Sequence, residues 1–541
     1  MNILFEIFSE EIPARMQKWA ELESVKVLQK ILNDANLKYA DCISFVATQR
    51  LALKFTLSYN ANEMVETEKR GPKTSADESI LEKFITAQKA KKSDLTEKDG
   101  YWLLILKSKR PTLEAMLTSI IDQFLDQMRW PKSMRWHLPL SNCSSRTWIR
   151  PIRSILLMTD DLPLQVTIPG TDLTTTNTTF THRFVEHKTI QIPHANEYES
   201  ILEKNHIIVP FHKRKEYILK EIQQQEDKLN LQMIEDQDLF DEVTGLVDTP
   251  FVLIGEIGKK FMVLPSEVLT TSMKVHQKYI AFIDVKTQKL APYFCAMLHQ
   301  NPIKPSIVRH GFEKVLTARL TDALFFFNND KDTPLEDLTA KFKSYIFHEK
   351  LGSLQEKVDR ILKCIDGLDI IQDTNISYLK RATLLCKADL FTQMVSEFPE
   401  LQGKMGEIYA LHQNEHPDVA LALKEHYQPL GPSQNVPSQN IGLWLALLDK
   451  LDSIIGFFGN NIKPTGSKDP LAIRRTTLGI IRIWNALFQD TVENWSPQND
   501  QRFLKVANII YENHKHKYFD EKQEALFQYL FDYIQKRYEG I

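Results

Sequence analysis

KPTGSKDPLAIRRTTLGIIRIWNALF, residues 463–488, decides how the second half of the chain is read. Asp469 followed by Pro470 predicts a helix that begins at 470, because a carboxylate accepts the amides a first helical turn leaves unpaired and proline has no amide to leave. At about 100° per residue, Ile473, Ile480, Ile481, Trp484, Leu487 and Phe488 share one arc, which predicts the buried face. Arg475 and Arg482 lie nearly opposite that arc, with Arg474 on its flank and Lys463 and Lys468 in the loop at the helix's positive end. Free amides, helix dipole and side-chain charge there all favour an anion. The loop is not a nucleotide-hydrolysing P-loop, since Gly466 is followed by Ser467-Lys468-Asp469 where that motif needs Gly-Lys-Ser/Thr. The plainer reading is a solvated basic helix face over a core.

Working outward, helical patterning dominates from about residue 306: GFEKVLTARLTDALFFF, LTAKFKSYIFHEKL, LQEKVDRILKCIDGL, YLKRATLLCKADLFTQMVSEF, VALALKEHY and GLWLALLDKLDSIIGFF are each read as helix. QPLGPSQNVPSQN, 428–440, is a proline-rich loop. The front of the chain mixes types. Ile3, Phe5 and Ile7 alternate with Leu4, Glu6 and Phe8 as a strand does, and Ser9-Glu10-Glu11 with Pro13 opens a helix through about Asn33. ISFVAT and LALKFTLSY predict two strands joined at Gln49-Arg50, and YWLLILKS (101–108) another; the charged stretch 62–99 reads as a short helical insertion or arm. A helix is expected over 111–129, strand-like segments in IRPIRSILLM and QVTIPG, and a strand or hairpin in 171–184, which holds seven threonines. Helices return over 195–232 and 266–281, with strands at TPFVLIGEI and APYFCAML.

Composition narrows the class. A chain of 541 residues is long enough for roughly three or four domains, and 43% hydrophobic with 25% charged residues is ordinary for a folded soluble protein. Lys plus Arg (67) nearly balances Asp plus Glu (70), for a net charge of −3, so any nucleic-acid site must be a local patch. Five scattered cysteines (Cys42, Cys143, Cys295, Cys364, Cys386) without a C-x-x-C pair exclude a disulfide framework or zinc ribbon and point to the cytosol. No targeting segment or apolar run of membrane-spanning length is found, so no membrane partner is expected.

The usual catalytic signatures are missing: no G-x-S-x-G, H-E-x-x-H, G-x-G-x-x-G or kinase motif, and neither short nucleotide-binding signature of the first class of aminoacyl-tRNA synthetases. The best constellation is His348, Asp389, Asp449 and Asp452, with Asp449 and Asp452 three apart on one helix face and able to share a divalent cation. An HD-type metal-dependent phosphohydrolase needs an adjacent His-Asp pair, but Asp389 follows Lys387-Ala388, which removes a ligand and adds a repelling charge. Helix-face acids paired with Lys450 or arginines are the plainer alternative. His412 and His416 lack a third ligand and read as surface residues, while His276-Gln277-Lys278 either meets RNA or caps a helix. Lys132, Arg135, Arg146, Arg150 and Arg153 interleave with Trp130, Trp136 and Trp148 as on a single-stranded RNA surface, with structural tryptophans as the alternative.

Twelve blocks, in order, then carry a resemblance: ILFEIFSEEIPAR (3–15), PKSMRW (131–136), THRF (181–184), DEVTGLVDTP (241–250), MKVHQKY (273–279), FEKVLTARLTDALFFFNND (312–330), FHEKLGS (347–353), CKADL (386–390), SEFPELQGKMGEIYALH (396–412), EHY (425–427), LLDKLDSIIGFF (447–458) and PTGSKDPLAIRRTTLGIIRI (464–483). Together they resemble the β subunit of the bacterial two-subunit glycyl-tRNA synthetases. The resemblance implies an α+β N-terminal region of synthetase-like modules (1–305), an all-α HD-like domain lacking the metal set (306–490) and a C-terminal helical segment (491–541) where the family's anticodon-arm domain starts. It implies a tRNA(Gly)-binding subunit of a glycine–tRNA ligase, without catalytic residues, cofactor or metal of its own. A separate α subunit would use ATP and Mg²⁺ in an α2β2 heterotetramer containing a second β chain. Lys463, Thr465, Lys468, Arg474 and Arg475, with Arg319 and Lys314 as a second set, are the RNA-backbone candidates. Acceptor-end binding is expected, and anticodon recognition by this chain is left open. An HD-type phosphohydrolase and a synthetase-derived RNA-binding or scaffold protein are the rival readings.

Overall fold

Asn2–Ser9 forms the central strand (β1) of an antiparallel sheet, because its side chains are apolar on one face and nearly so on the other. The computed structural model describes residues 1–541 except 62–63, 89, 137–145, 183–187, 372–373, 432–433, 465–468, 470, 489–494, 519–521 and 540–541. The chain forms two compact units, one of residues 1–255 and 278–312, the other of 256–277 and 313–541.

In the first unit β1 is followed by α1 (Ala14–Asp34), β2 (Lys38–Val46) and β3 (Arg50–Ser58), the last two forming the expected pair but turning at 47–49, one to two residues before the Gln49-Arg50 join. Next come β4 (Met64–Lys73), α2 (Glu78–Gln88), β5 (Leu95–Lys98), β6 (Tyr101–Lys109), α3 (Leu113–Gln127), β7 (Met134–Trp136), β8 (Arg146–Trp148), β9 (Ile152–Thr159) and β10 (Leu162–Pro163). The main sheet runs β10-β9-β1-β3-β2, with Ile3 opposite Phe55 on β3 and Thr159 on β9. Alternation separates two cores: Ile3, Phe5 and Ile7 pack with α1 and α3, whereas Leu4 packs with Phe45, Ala52 and Leu156 on the other side.

Glu6 shares the Leu4 side and is buried there. Thr179 Oγ1 donates to it at 2.5 Å, the Arg50 guanidinium lies 3.5 Å away, and the Tyr198 hydroxyl donates as well. These donors satisfy a carboxylate that burial would otherwise make costly.

The charged stretch 62–99 differs from its expected form. Besides α2 it contributes β4 and β5, which flank β6 in an antiparallel sheet of order β4-β6-β5. Its apolar signal is thin because Leu81, Leu95 and Leu104 are the buried centre of this layer. The threonine-rich segment forms a short hairpin, β11 (Thr178–Phe180) with β12 (Thr189–Gln191); Arg183 and Phe184 of THRF lie outside the described residues. Trp130 and Trp148 are buried and meet edge to face at 5.2 Å, while Arg146 pairs with Asp122 and Asp126, so both rings serve the core rather than an RNA surface. Only the backbone of Trp136 is described.

After α4 (Tyr198–Lys204) and α5 (Phe211–Leu229), a second antiparallel sheet of order β13-β15-β16-β14 is built from β13 (Leu231–Met233), β14 (Phe251–Glu256), β15 (Ile280–Asp284) and β16 (Leu290–Leu298), with α6 (Gln237–Leu246) beside it. The helix expected over 266–281 is α7 (Ser266–Thr271) plus a π turn to Gln277, after which the chain enters β15.

The second unit is helical as expected. Following α8 (Pro305–Lys331) come α9 (Leu335–Leu338), α10 (Leu354–Gly367), α11 (Ile376–Leu385), α12 (Gln393–Glu397), α13 (Lys404–His412), α14 (Pro417–Glu425), α15 (Asn440–Gly459), α16 (Ile473–Phe488), α17 (Gln501–Tyr518) and α18 (Gln523–Tyr538). Helix α15 is apolar on every side and therefore sits at the centre, against α10, α11, α14, α16, α17 and α18. Two expected helices do not form as read: 378–398 is α11, a 3₁₀ turn over Ala388–Phe391 and α12, while 338–351 is the end of α9, a 3₁₀ turn and a small hairpin, β17 (Ile346–His348) with β18 (Gly352–Ser353), in which Gly352 takes φ +82°. Ser353 then caps α10 in a reciprocal box with Glu356. Among the described residues no helix is long and apolar enough to cross a membrane.

Helix α6 approaches α1 so closely that a Cβ on Gly245 would stand 2.8 Å from the Ala14 Cα. Gly245→Val should destabilise the first unit by roughly 1–3 kcal/mol through this overpacking, visible as a lower urea midpoint; an unchanged midpoint would contradict the packing described.

Candidate functional site

Helix α16 starts at Ile473, three residues after the expected position, because Ala472 takes φ +54° and cannot belong to a right-handed helix. Asp469 still acts as the cap: its two carboxylate oxygens accept the amides of Ile473 (2.8 Å) and Arg474 (2.9 Å). Pro470 lies outside the described residues. Ile473, Ile480, Ile481 and Trp484 are buried as the arc predicts, and Phe488 packs on Trp484 with centroids 4.4 Å apart.

The cationic candidates meet different fates. Arg475 is exposed on the first turn of α16, and Arg474 is half-buried beside it. Lys463 places its ammonium 4.5 Å from the centre of the Tyr529 ring. Thr465 and Lys468 lie outside the described residues. Arg482 donates to the Gly431 carbonyl at 3.3 Å, so its charge is directed to the 428–440 loop. On α8, Arg319 pairs with Glu397 at 3.4 Å and Lys314 is exposed. Lys463, Arg474 and Arg475 thus flank the start of α16, while Arg319 and Lys314 belong to α8.

Behind α16 lies the constellation proposed from the acidic residues, with a different composition. Asp449 and Asp452 do share one cation, and it is the Lys357 ammonium, 3.4 Å from Asp449 Oδ1 and 3.3 Å from Asp452 Oδ2. Arg360 grips Asp452 with Nε at 2.8 Å and Nη2 at 3.0 Å, and His514 Nε2 donates to it at 2.8 Å. Burial opposes ionisation of Asp452, but Lys357, His514 and Arg360 outweigh it and hold the carboxyl well below its usual range. Asp449, likewise opposed by burial, is held low by Lys357 and by Lys387, whose ammonium is 3.4 Å from Oδ2.

Lys450 does not pair with these acids. Its ammonium donates to the carbonyls of His426 (3.1 Å), Tyr427 (3.2 Å) and Gln428 (2.8 Å), tying down the start of the loop. Burial, reinforced by Lys387 and Lys357, pushes its pKa down to about 7 despite the attraction of Asp449. Lys387 Nζ stands 2.9 Å from His426 Nε2, which must accept, leaving the proton on Nδ1 to reach the Leu423 carbonyl at 2.8 Å. Burial and the nearby Lys387 keep that imidazole neutral.

Asp389 stands apart, its Oδ2 accepting the amides of Gly403 and Gly406, and burial pushes its carboxyl up to about 6. His348 accepts the Lys350 amide on Nδ1. The four residues weighed as metal ligands do not converge, and among the described residues no group of three or more His, Cys, Asp or Glu side chains is arranged for a metal ion. Sequence reasoning missed Lys357, Arg360, His426 and His514. LQEKVDRIL did hold a signal for the first two, since Lys357 and Arg360 stand three apart beside Val358 and Ile361, on the apolar face of α10.

A cavity of about 360 Å³ separates this charged centre from the start of α16. Asp449, Lys450, Ser453 and Phe457 of α15 line it, with Phe347 and His348 of the β17 hairpin, Tyr427 and Pro429 of the loop, and Ala472, Arg475 and Thr476.

Compared with known proteins, the chain falls in the class of aminoacyl-tRNA ligase subunits. A model of the family described as glycyl-tRNA synthetase beta subunit matches residues 3–541, and the chain belongs to that family. The glycine–tRNA ligase beta subunit of Rickettsia prowazekii (strain Madrid E) is 40% identical over 488 residues, 89% of this chain and 71% of the relative. That of Rickettsia bellii (strain OSU 85-389) is 37% identical over 542 residues, 98% of this chain and 79% of the relative.

Removing one partner from the buried centre leaves charge uncompensated, so Arg360→Leu should cost roughly 3–5 kcal/mol in the second unit, measured by denaturant titration. Asp389 sets a pH dependence of opposite sign to a salt-bridged acid. Its folded value of about 6 lies above the ordinary 3.8, so its contribution favours folding at low pH and is lost as pH rises through about 6. Asp389→Asn should flatten the stability profile between about pH 4 and 7 and raise stability at pH 7; an unaltered profile in a pH series of thermal melts would refute this assignment.

Proposed function

We propose that this chain is the tRNA-binding subunit of a glycine–tRNA ligase, supporting ATP-dependent attachment of glycine to tRNA(Gly) by a separate catalytic α subunit. In this reading the complex is a cytosolic α2β2 heterotetramer with a second β chain, and ATP and Mg²⁺ act through the α subunit. Residues 306–490 form an HD-like domain that has lost its metal set, and 1–305 form synthetase-like modules. Family membership over residues 3–541 supports the pairing with an α subunit. The observation that carries the RNA role is the start of α16, where Arg475 and Arg474 stand at the positive end of a helix whose cap leaves their side chains unburied enough to meet phosphate. Lys463 extends the same cationic strip, and Lys314 offers an exposed ammonium on α8.

The buried lysines support a binding role over an HD-type hydrolytic one. Lys357 and Lys387 neutralise the carboxylates that a divalent ion would need.

Arg474→Glu with Arg475→Glu should weaken tRNA binding by about 1–3 kcal/mol and reduce aminoacylation by the reconstituted complex in proportion. The check is filter binding and glycine charging with and without the α chain, beside a melt showing the double variant folded. Full tRNA affinity in the folded variant removes these arginines from the interface. Glycine charging by this chain alone, or phosphatase activity with a stoichiometric metal, sinks the division of labour.

A further inference from the structure

The cavity behind α16 is lined by polar groups of α15, the β17 hairpin and the first turn of α16, together with aromatic rings. Asp449 is an ionised carboxylate whose side chain is 14% exposed: Oδ1 is closed to solvent beside the Lys357 ammonium at 3.4 Å, and Oδ2 meets the Lys387 ammonium at 3.4 Å. A carboxylate with about four acceptor sites and two long contacts has capacity for a further donor. Tyr427 lines the same cavity, while its hydroxyl is closed to solvent and has no hydrogen-bond partner among the described residues. The aromatic wall includes Phe347 and Phe457, whose rings lie 6.4 Å and 21° apart. The lining also includes the exposed Arg475 and the half-buried His348, whose Nδ1 accepts a backbone amide, so that Nε2 carries the proton and can donate.

We propose that this cavity binds one nucleoside monophosphate unit bearing an exocyclic amine, with the amine of adenine or cytosine on Asp449, the base against the aromatic wall and the phosphate at Arg475 and His348. A volume of about 360 Å³ is of the size that small-molecule sites occupy. Base stacking on aromatic side chains supplies affinity, and the carboxylate supplies discrimination, because a base with a carbonyl in place of the amine sets two acceptors face to face. Such a unit has two sources, a free mononucleotide or the unpaired end of an RNA. Only binding is proposed, with no bond made or broken.

The test uses the full chain without α subunit or tRNA, and titration calorimetry with AMP, CMP, IMP and UMP. AMP and CMP should bind, and IMP, which differs from AMP by carbonyl for amine, should bind at least about tenfold more weakly. Asp449→Asn should erase the preference of AMP over IMP. Because that change touches the buried charge centre, Leu471→Trp is the second variant: it fills the cavity from a half-buried loop position and should abolish AMP binding in a chain that melts normally. A single-stranded oligonucleotide ending in 3′-adenosine that displaces AMP and binds about tenfold tighter identifies the source as RNA, whereas AMP binding without such displacement identifies the free nucleotide; both support the site. Equal binding of AMP and IMP, no binding of AMP at millimolar concentration, or full binding by Leu471→Trp overturns it. Mononucleotide binding is read without tRNA, so its failure leaves the tRNA interface of Arg474 and Arg475 standing, and failure of that interface leaves the cavity standing.

Discussion

The second unit depends on one ammonium group placed between two carboxylates. Helix α15 is apolar enough to be buried on every side, yet it carries Asp449 and Asp452 one turn apart. Two such acids, buried together without a cation, could not both stay ionised. Lys357, itself 1% exposed, reaches both from α10, and Arg360 one turn further repeats the contact on Asp452 while His514 brings in α17. Neutralising the acids and assembling the bundle are thus one event, because the charge partners come from α10 and α17 and not from α15 itself.

The same physics shapes the first unit on a smaller scale. Glu6 occupies an inward position on the central strand, and its partners Arg50, Thr179 and Tyr198 come from β3, the threonine hairpin and α4. Arg214 on α5 behaves comparably, donating to the carbonyls of Val46, Ile208, Val209 and Thr244. Such groups fix the register of elements that hydrophobic burial alone would let slide, since a shifted register leaves a buried charge unpaired.

Interior and exterior charge consequently do different work. Buried lysines and arginines are committed to carboxylates or carbonyls, and Lys450 in particular is held by three carbonyls of the loop bordering the cavity. Arg475 stands exposed at the start of α16, where Ala472 in the left-handed region delays the helix and Asp469 caps it. The placement makes the first turn both ordered and accessible.

Local pattern alone determined much of this protein: the β1–α1 entry, the β2–β3 hairpin, the all-helical second half, the buried face of α16 and the capping role of Asp469. Each rests on periodicity or on contacts between near neighbours in sequence. In the small sheet within 62–109, β6 was legible as a strand but β4 and β5 escaped because their charged stretch has too faint an alternation, and the β17 hairpin escaped because YIFHEKL has helical composition but a turn requiring Gly352 at positive φ. Family resemblance, legible in twelve ordered blocks, reached further than either. Only the tertiary structure decided which cation answers Asp449 and Asp452. Lys357 is 92 residues from Asp449 and His514 is 62 from Asp452, and charge pairing over such separations is set by how helices pack, which no local pattern encodes.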